Sequence, residues 1–171
     1  MSKFGDLIRD VENFPQKGIL FKDITPLLRD KDTFGNVVKE MANNFVDDGV
    51  DCVVAVEARG YFFGAPVAYE LGCGFIPVRK EGKLPWKTLR EEYLLEYGSG
   101  ALEMHIDSLE PGQRVLIVDD VLATGGTLKA TINLVEKSGA TVVGIAVLVD
   151  LIGLMGSKNF DRYKLVSLLS I

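Results

Sequence analysis

Apolar positions along the chain follow two rhythms. Phe34, Val37, Val38, Met41, Ala42, Phe45 and Val46 recur at helical spacing. With Asp32 or Thr33 as cap and Gly49 as stop, they predict an amphipathic helix. Cys52–Val56 is instead an unbroken apolar run between turn residues, as expected of a parallel strand buried on both faces. Arg114–Val118 reads the same way, Gly74–Val78, Thr141–Val149 and Tyr163–Leu169 read as further strands, and helices are predicted over Tyr61–Leu71 and Gly126–Lys137. At the start, Phe4, Leu7, Ile8 and Val11 fall at i, i+3, i+4 and i+7 behind Ser2, which predicts a short opening helix before the punctuation of Asn13–Gly18. Strands alternating with helices predict an α/β fold: a single domain with a mostly parallel twisted sheet flanked by helices, its ligands at the carboxyl ends of the strands.

The rhythm breaks over Arg79–Gly100, where charge, glycine and proline replace apolar spacing. A stretch this long without pattern reads as a functional lid or a disordered loop, although Tyr93–Leu95 and Ala101–Ile106 can pair as a flexible antiparallel ribbon. The chain has 171 residues, 47% apolar and 25% charged, enough for one sizeable core and no second domain. Nineteen Lys+Arg against 24 Asp+Glu leave a net charge of -5, which argues against nucleic-acid binding by bulk electrostatics and leaves room only for a local basic patch. Cys52 and Cys73 lack metal-ligand spacing and read as reduced core thiols. The N-terminal residues show no apolar signal segment, and the run from Gly144 to Met155 is broken by Asp150 and falls short of the ~20 residues of a membrane span. A cytoplasmic location and no membrane partner are the expectations.

Chemistry concentrates in Val115–Thr127: a buried strand, Asp119 and Asp120, then the small-residue turn Ala123-Thr124-Gly125-Gly126-Thr127 opening a helix. Such a turn brings backbone N–H groups close to an anion, adds two hydroxyl donors and uses the positive end of the helix, so it reads as a phosphate cradle. The spacing is neither a Walker P-loop nor Gly-x-Gly-x-x-Gly. Paired carboxylates would repel a phosphate but suit the vicinal hydroxyls of a ribose. A sugar phosphate satisfies both halves.

This segment resembles the donor-binding signature of the type I phosphoribosyltransferases. Phe14-Pro15-Gln16-Lys17-Gly18-Ile19-Leu20-Phe21, Glu57-Ala58-Arg59-Gly60, Val78-Arg79-Lys80-Glu81-Gly82-Lys83 and Leu95-Glu96-Tyr97-Gly98 are similar to the adenine-specific branch of that family, so the resemblance covers nearly the whole chain. It implies a type I fold with a hood over residues 1–30, a flexible lid over 79–106 and the donor motif at 115–127. It also implies a purine-salvage activity: transfer of the phosphoribosyl group of 5-phosphoribosyl 1-pyrophosphate to N9 of adenine, giving AMP and pyrophosphate. In the implied site, Ala123, Thr124, Gly125, Gly126 and Thr127 hold the 5′-phosphate, and Asp119 and Asp120 face the ribose hydroxyls. Arg59, Arg79, Lys80, Lys83 and Tyr97 meet the pyrophosphate, Leu20 and Phe21 meet adenine, and Glu96 on the lid exchanges a proton with the purine or, in the competing view, only orders the lid. The role of Glu57 is left open.

The chain has a single histidine, His105, which lies outside every motif and reads as structural. With one His and no Cys cluster, no protein metal cage is expected, and Mg²⁺ is expected to arrive with the donor. A homodimer is implied by the resemblance alone. Two rivals share the donor motif: transfer to another base such as xanthine, and a regulator that senses phosphoribosyl pyrophosphate without turning it over. The stretch from Leu151 to Ile171 carries no motif assignable to chemistry.

Overall fold

The structure is a computed structural model describing residues 4–95, 98–154 and 156–171. A sheet of seven strands carries the fold, ordered β5-β6-β4-β3-β7-β8-β9. β4 (Gly74–Lys80), β3 (Cys52–Val56), β7 (Arg114–Leu122), β8 (Thr141–Asp150) and β9 (Leu165–Ser170) run parallel, as their apolar runs predict. Helix α4 (Gly126–Lys137) covers one face through Leu128, Ile132 and Val135, packing with Val54, Ile117 and Ile145. α1 (Thr25–Arg29), α2 (Lys31–Asn43) and α3 (Arg59–Leu71) lie over the other with Val53, Leu116 and Leu148. The α/β expectation holds, with two cores sharing one sheet.

Three local readings change. The opening helix shrinks to a 3₁₀ turn at Gly5–Leu7, and Val11 lies on β1 (Arg9–Glu12), paired antiparallel with Phe21 on β2 (Leu20–Asp23). Two isolated turns are too short to sustain a helix, whereas pairing satisfies the backbone of both segments. α2 begins earlier than the spacing suggests, because the Asp30 carboxylate, rather than Asp32 or Thr33, accepts the Thr33 N–H at 2.8 Å. β7 runs to Leu122, so Asp119 and Asp120 lie within the strand and not behind it.

The patternless stretch is mostly strand. β5 (Thr88–Leu95) and β6 (Gly98–His105) pair antiparallel from Thr88↔His105 to Leu95↔Gly98, and β6 joins the main sheet through Arg79↔Glu103. Charge hid the period. Leu89 and Tyr93 pack on the core, while Arg90 reaches Glu81 and Glu92 at 2.7 and 2.8 Å, and Glu91 pairs with Lys137 and accepts from Asn133 on α4.

The chain direction places the site. From β3 the chain passes through α3 to β4 on one side, whereas β7 lies on the other side of β3. Successive connections thus diverge between the carboxyl ends of β3 and β7, which opens a crevice there.

Candidate active site

Two strand ends build the crevice. β3 delivers Glu57, Ala58 and Arg59; β7 delivers Asp119 and Asp120 and runs on through the 123–127 turn into α4. Together with Lys80 they line a cavity of about 400 Å³. At the head of α4, Gly125 has φ +85°, a conformation that favours glycine, and no side chain caps the helix. The helix-start N–H groups are therefore left for an anion. Behind the turn sits a 3₁₀ segment, Gly156–Phe160: a methyl on Gly125 would lie 2.8 Å from the Phe160 ring, and one on Gly156 2.0 Å from the Ala123 carbonyl oxygen. The 123–127 turn is held from behind by backbone contact.

The acid pair is costly. Asp120 is buried, and its Oδ2 lies 2.9 Å from Arg59 Nε, while Asp119 Oδ1 accepts the Asp120 N–H at 2.9 Å. Burial pushes the Asp119 carboxyl well above its ordinary range, and the neighbouring Asp120 charge pushes it further. Asp120 is also raised by burial, against the opposing pull of Arg59. Asp120 Oδ2 and Arg59 Nη1 are buried without a hydrogen-bond partner among the described residues. The ion contact therefore leaves donor and acceptor capacity unspent at the cavity wall.

A second cavity of about 470 Å³ adjoins the first and shares Arg59, Val121, Ala123 and Thr124 with it. Its walls are largely apolar: Pro15, Ile19, Leu20 and Phe21 from the N-terminal segment, with Leu151 and Leu154 opposite. Phe21 is held between the edge of Phe14, ring centres 5.0 Å apart, and the Arg59 guanidinium, 4.8 Å from its ring centre. A flat, uncharged ring suits this slot. Leu151 and Leu154 were invisible as site residues, because nothing local marks them; the one signal is their position just past the carboxyl end of β8.

The predicted cations separate into two groups. Arg59 and Lys80 line the polar cavity, whereas Arg79 Nη2 and Lys83 Nζ both reach Glu57 Oε2, at 3.1 and 3.2 Å, and Glu57 Oε1 accepts the Lys80 N–H at 2.7 Å. Burial disfavours the ionised Glu57 carboxyl, but these three partners outweigh it and hold the group below its ordinary range. Sequence gave Glu57 no role; in the structure it organises this corner. Glu96 and Tyr97 lie outside the described residues. His105 sits on β6 away from both cavities, and no group of three potential metal ligands occurs among the described residues.

The family described as phosphoribosyl transferase domain matches residues 28–169, which take in the mostly parallel sheet, the acid pair and the 123–127 turn, so the chain carries a phosphoribosyltransferase domain. Within that class the chain belongs to the adenine phosphoribosyltransferase family. It is 54% identical over 163 residues to the adenine phosphoribosyltransferase of Anaeromyxobacter dehalogenans, covering 95% of each chain. Its fold is similar to the crystal structure of the Thermoanaerobacter pseudethanolicus adenine phosphoribosyltransferase, with TM-score 0.96, 49% identity and coverage of 99% of this chain and 98% of that one. The Saccharomyces cerevisiae enzyme, crystallised with an imino-altritol bisphosphate and adenine, matches with TM-score 0.91 and 34% identity over 98% of this chain and 97% of its own.

Proposed function

We propose that this chain joins N9 of adenine to C1 of the ribose in phosphoribosyl pyrophosphate, forming AMP and releasing pyrophosphate in a purine-salvage reaction. One observation carries the reading: a polar cavity built for a sugar phosphate opens into an apolar cavity fit for a flat base, with four residues shared between them. The ribose carbon that changes partners belongs at that junction. The yeast relative, with a bisphosphate sugar analogue and adenine bound, supports the same pairing of ligands.

In this reading the Ala123–Thr127 turn holds the 5′-phosphate, and Asp119 and Asp120 accept hydrogen bonds from the ribose hydroxyls. As the bond from C1 to the pyrophosphate oxygen lengthens, positive charge develops on the sugar and negative charge on the leaving group; Arg59 and Lys80, backed by Arg79 and Lys83, stabilise the latter. N9 then bonds C1 and its proton leaves. Glu96, within the lid proposed over residues 79–106, exchanges a proton with the purine ring, and Tyr97 helps close the site. Leu20 and Phe21 hold the base. The donor carries Mg²⁺ as part of the substrate, and the carboxylate oxygens beside the cavity suit a hard, partly hydrated cation.

Two further features belong to the proposal. Phe62 and Tyr69, seven residues apart on one face of α3, are exposed, and this apolar face supports a homodimer. Soluble substrates suit a cytoplasmic setting, and no helix of the described residues is long and apolar enough to cross a membrane.

The test is product formation from Mg²⁺-phosphoribosyl pyrophosphate with adenine, hypoxanthine, guanine, xanthine and orotate supplied separately. AMP and pyrophosphate should appear in equal amounts with adenine alone. Turnover of an oxopurine would overturn the base assignment, and donor binding without turnover would make the chain a sensor.

A further inference from the structure

We infer that Glu57 is a positioning residue for the pyrophosphate half of the donor, acting through Arg79 and Lys83. The inference rests on the proposed function. Three donors converge on this one carboxylate: the Lys80 N–H on Oε1, and the Arg79 and Lys83 side chains on Oε2. Arg79 Nη1 also donates to the Lys83 carbonyl at 3.0 Å, so the turn from Arg79 to Lys83 closes on itself around the carboxylate. The far side of this turn is fixed too, since Gly82, at φ +79°, donates its N–H to the Glu103 carboxylate at 2.9 Å.

A carboxylate on the wall of an anion cavity is at first sight an obstacle. Its side chain is only 8% exposed, however, and its charge faces the two cations. Without it, a guanidinium and an ammonium would confront each other across an empty buried site and move apart. With it, the Lys80 backbone is pinned while the Lys80 side chain stays free to line the cavity. Arg79 Nε, buried without a hydrogen-bond partner among the described residues, is a spare donor at the same corner. The carboxylate, just past β3, thus sets where the cationic turn at the end of β4 sits relative to Arg59, which lies two residues along the chain from Glu57 at the start of α3.

The experiment separates the two halves of the donor. AMP shares the phosphate turn and the ribose acids but carries no pyrophosphate. For Glu57→Gln, which keeps an acceptor for Lys80 and loses the charge, affinity for inorganic pyrophosphate with Mg²⁺ should fall on the order of tenfold or more. KM for phosphoribosyl pyrophosphate should rise in parallel, while AMP affinity and KM for adenine stay within about twofold, since tenfold is the scale of a lost charged contact. Lys83→Met and the double variant complete a cycle: if Glu57 acts through Lys83, the double variant is no weaker than the worse single one. Pyrophosphate affinity unchanged or tightened in Glu57→Gln, AMP weakened equally, or additive effects in the cycle would each overturn the inference. A Glu57→Gln chain that does not fold would also overturn it, since the residue would then be a fold determinant. If the parent chain makes no AMP, the functional reading itself fails; a parent that makes AMP beside an unaffected Glu57→Gln chain sinks the positioning role alone.

Discussion

Gly156→Ala tests whether the segment behind the phosphate turn sets its position. The added Cβ would fall 2.0 Å from the Ala123 carbonyl oxygen, 3.0 Å from its carbon and 3.1 Å from the Thr124 carbonyl carbon. All three atoms are backbone, so no side chain can swing aside. Ordinary contact lies near 3.5 Å, so the turn and the 156–160 segment must separate by roughly 1 Å or more. Overpacking of this kind costs about 1–3 kcal/mol, which for a domain of this size lowers the melting temperature by about 2–12 °C. The functional cost is larger, because the atoms pushed are those of the cradle. A 1 Å displacement of a binding group can cost as much as a hundredfold, and the expected loss in kcat/KM for phosphoribosyl pyrophosphate is roughly tenfold to a hundredfold. AMP affinity by titration calorimetry should fall with it, and KM for adenine should change less. Gly153→Ala is the control, since nothing lies within 4 Å of a methyl there. A Gly156→Ala chain with the melting temperature and donor affinity of Gly153→Ala would refute the reasoning.

Three other changes probe the remaining parts of the site. Asp119→Asn should weaken donor binding yet stabilise the free protein: burial, then the Asp120 charge, raise the Asp119 carboxyl above its ordinary 3.8, so the parent loses stability as pH climbs from there through the raised value, and the variant lacks that slope. Melting temperature against pH, with donor KM at neutral pH, checks both signs; equal slopes would contradict the burial argument. Phe21→Ala removes the ring held between Phe14 and Arg59 and should raise KM for adenine by about tenfold, on the scale of one lost stacking contact, with donor KM little changed; an unaltered adenine KM would make Phe21 packing alone. Glu96→Ala should lower kcat more than adenine affinity and flatten the pH–rate profile, and a profile and turnover matching the parent's would remove the proton-transfer role.

What the sequence disclosed follows from how locally each feature is determined. The five parallel strands were legible because burial on both faces leaves continuous apolar runs such as Cys52–Val56. The turn that opens α4 was legible because its glycines and threonines are adjacent in the chain to the helix start. The β5–β6 hairpin was legible in part, as an antiparallel ribbon of Tyr93–Leu95 and Ala101–Ile106; its first half was obscured because its outward residues, Arg90 and Glu92, are charged, and its tie to α4 runs through Glu91 to Asn133, 42 positions away. Leu151, Leu154, Gly156 and Phe160 were missed for the same reason: the first two line the apolar cavity, the last two pack behind the turn on residues remote in sequence, and none alters a local pattern. Glu57 is intermediate, visible beside Arg59 but with no role until Arg79 and Lys83 are brought to it.

Arg59 shows why these scattered pieces must act together. It begins α3, lies 2.9 Å from Asp120 and covers Phe21, so a single side chain borders both cavities. An arginine fits this place better than a lysine, because its planar guanidinium can lie against a ring while its edge meets a carboxylate. The contact to Asp120 partly offsets the cost of burying that acid. The acid in turn fixes the guanidinium, and the guanidinium fixes the face of Phe21 that a base would meet. The two cavities are therefore joined through one side chain in the protein itself. A change at Asp120 should accordingly be felt in the adenine slot, whereas a change at Asp119, which does not hold Arg59 in an ion pair, should act on the donor side.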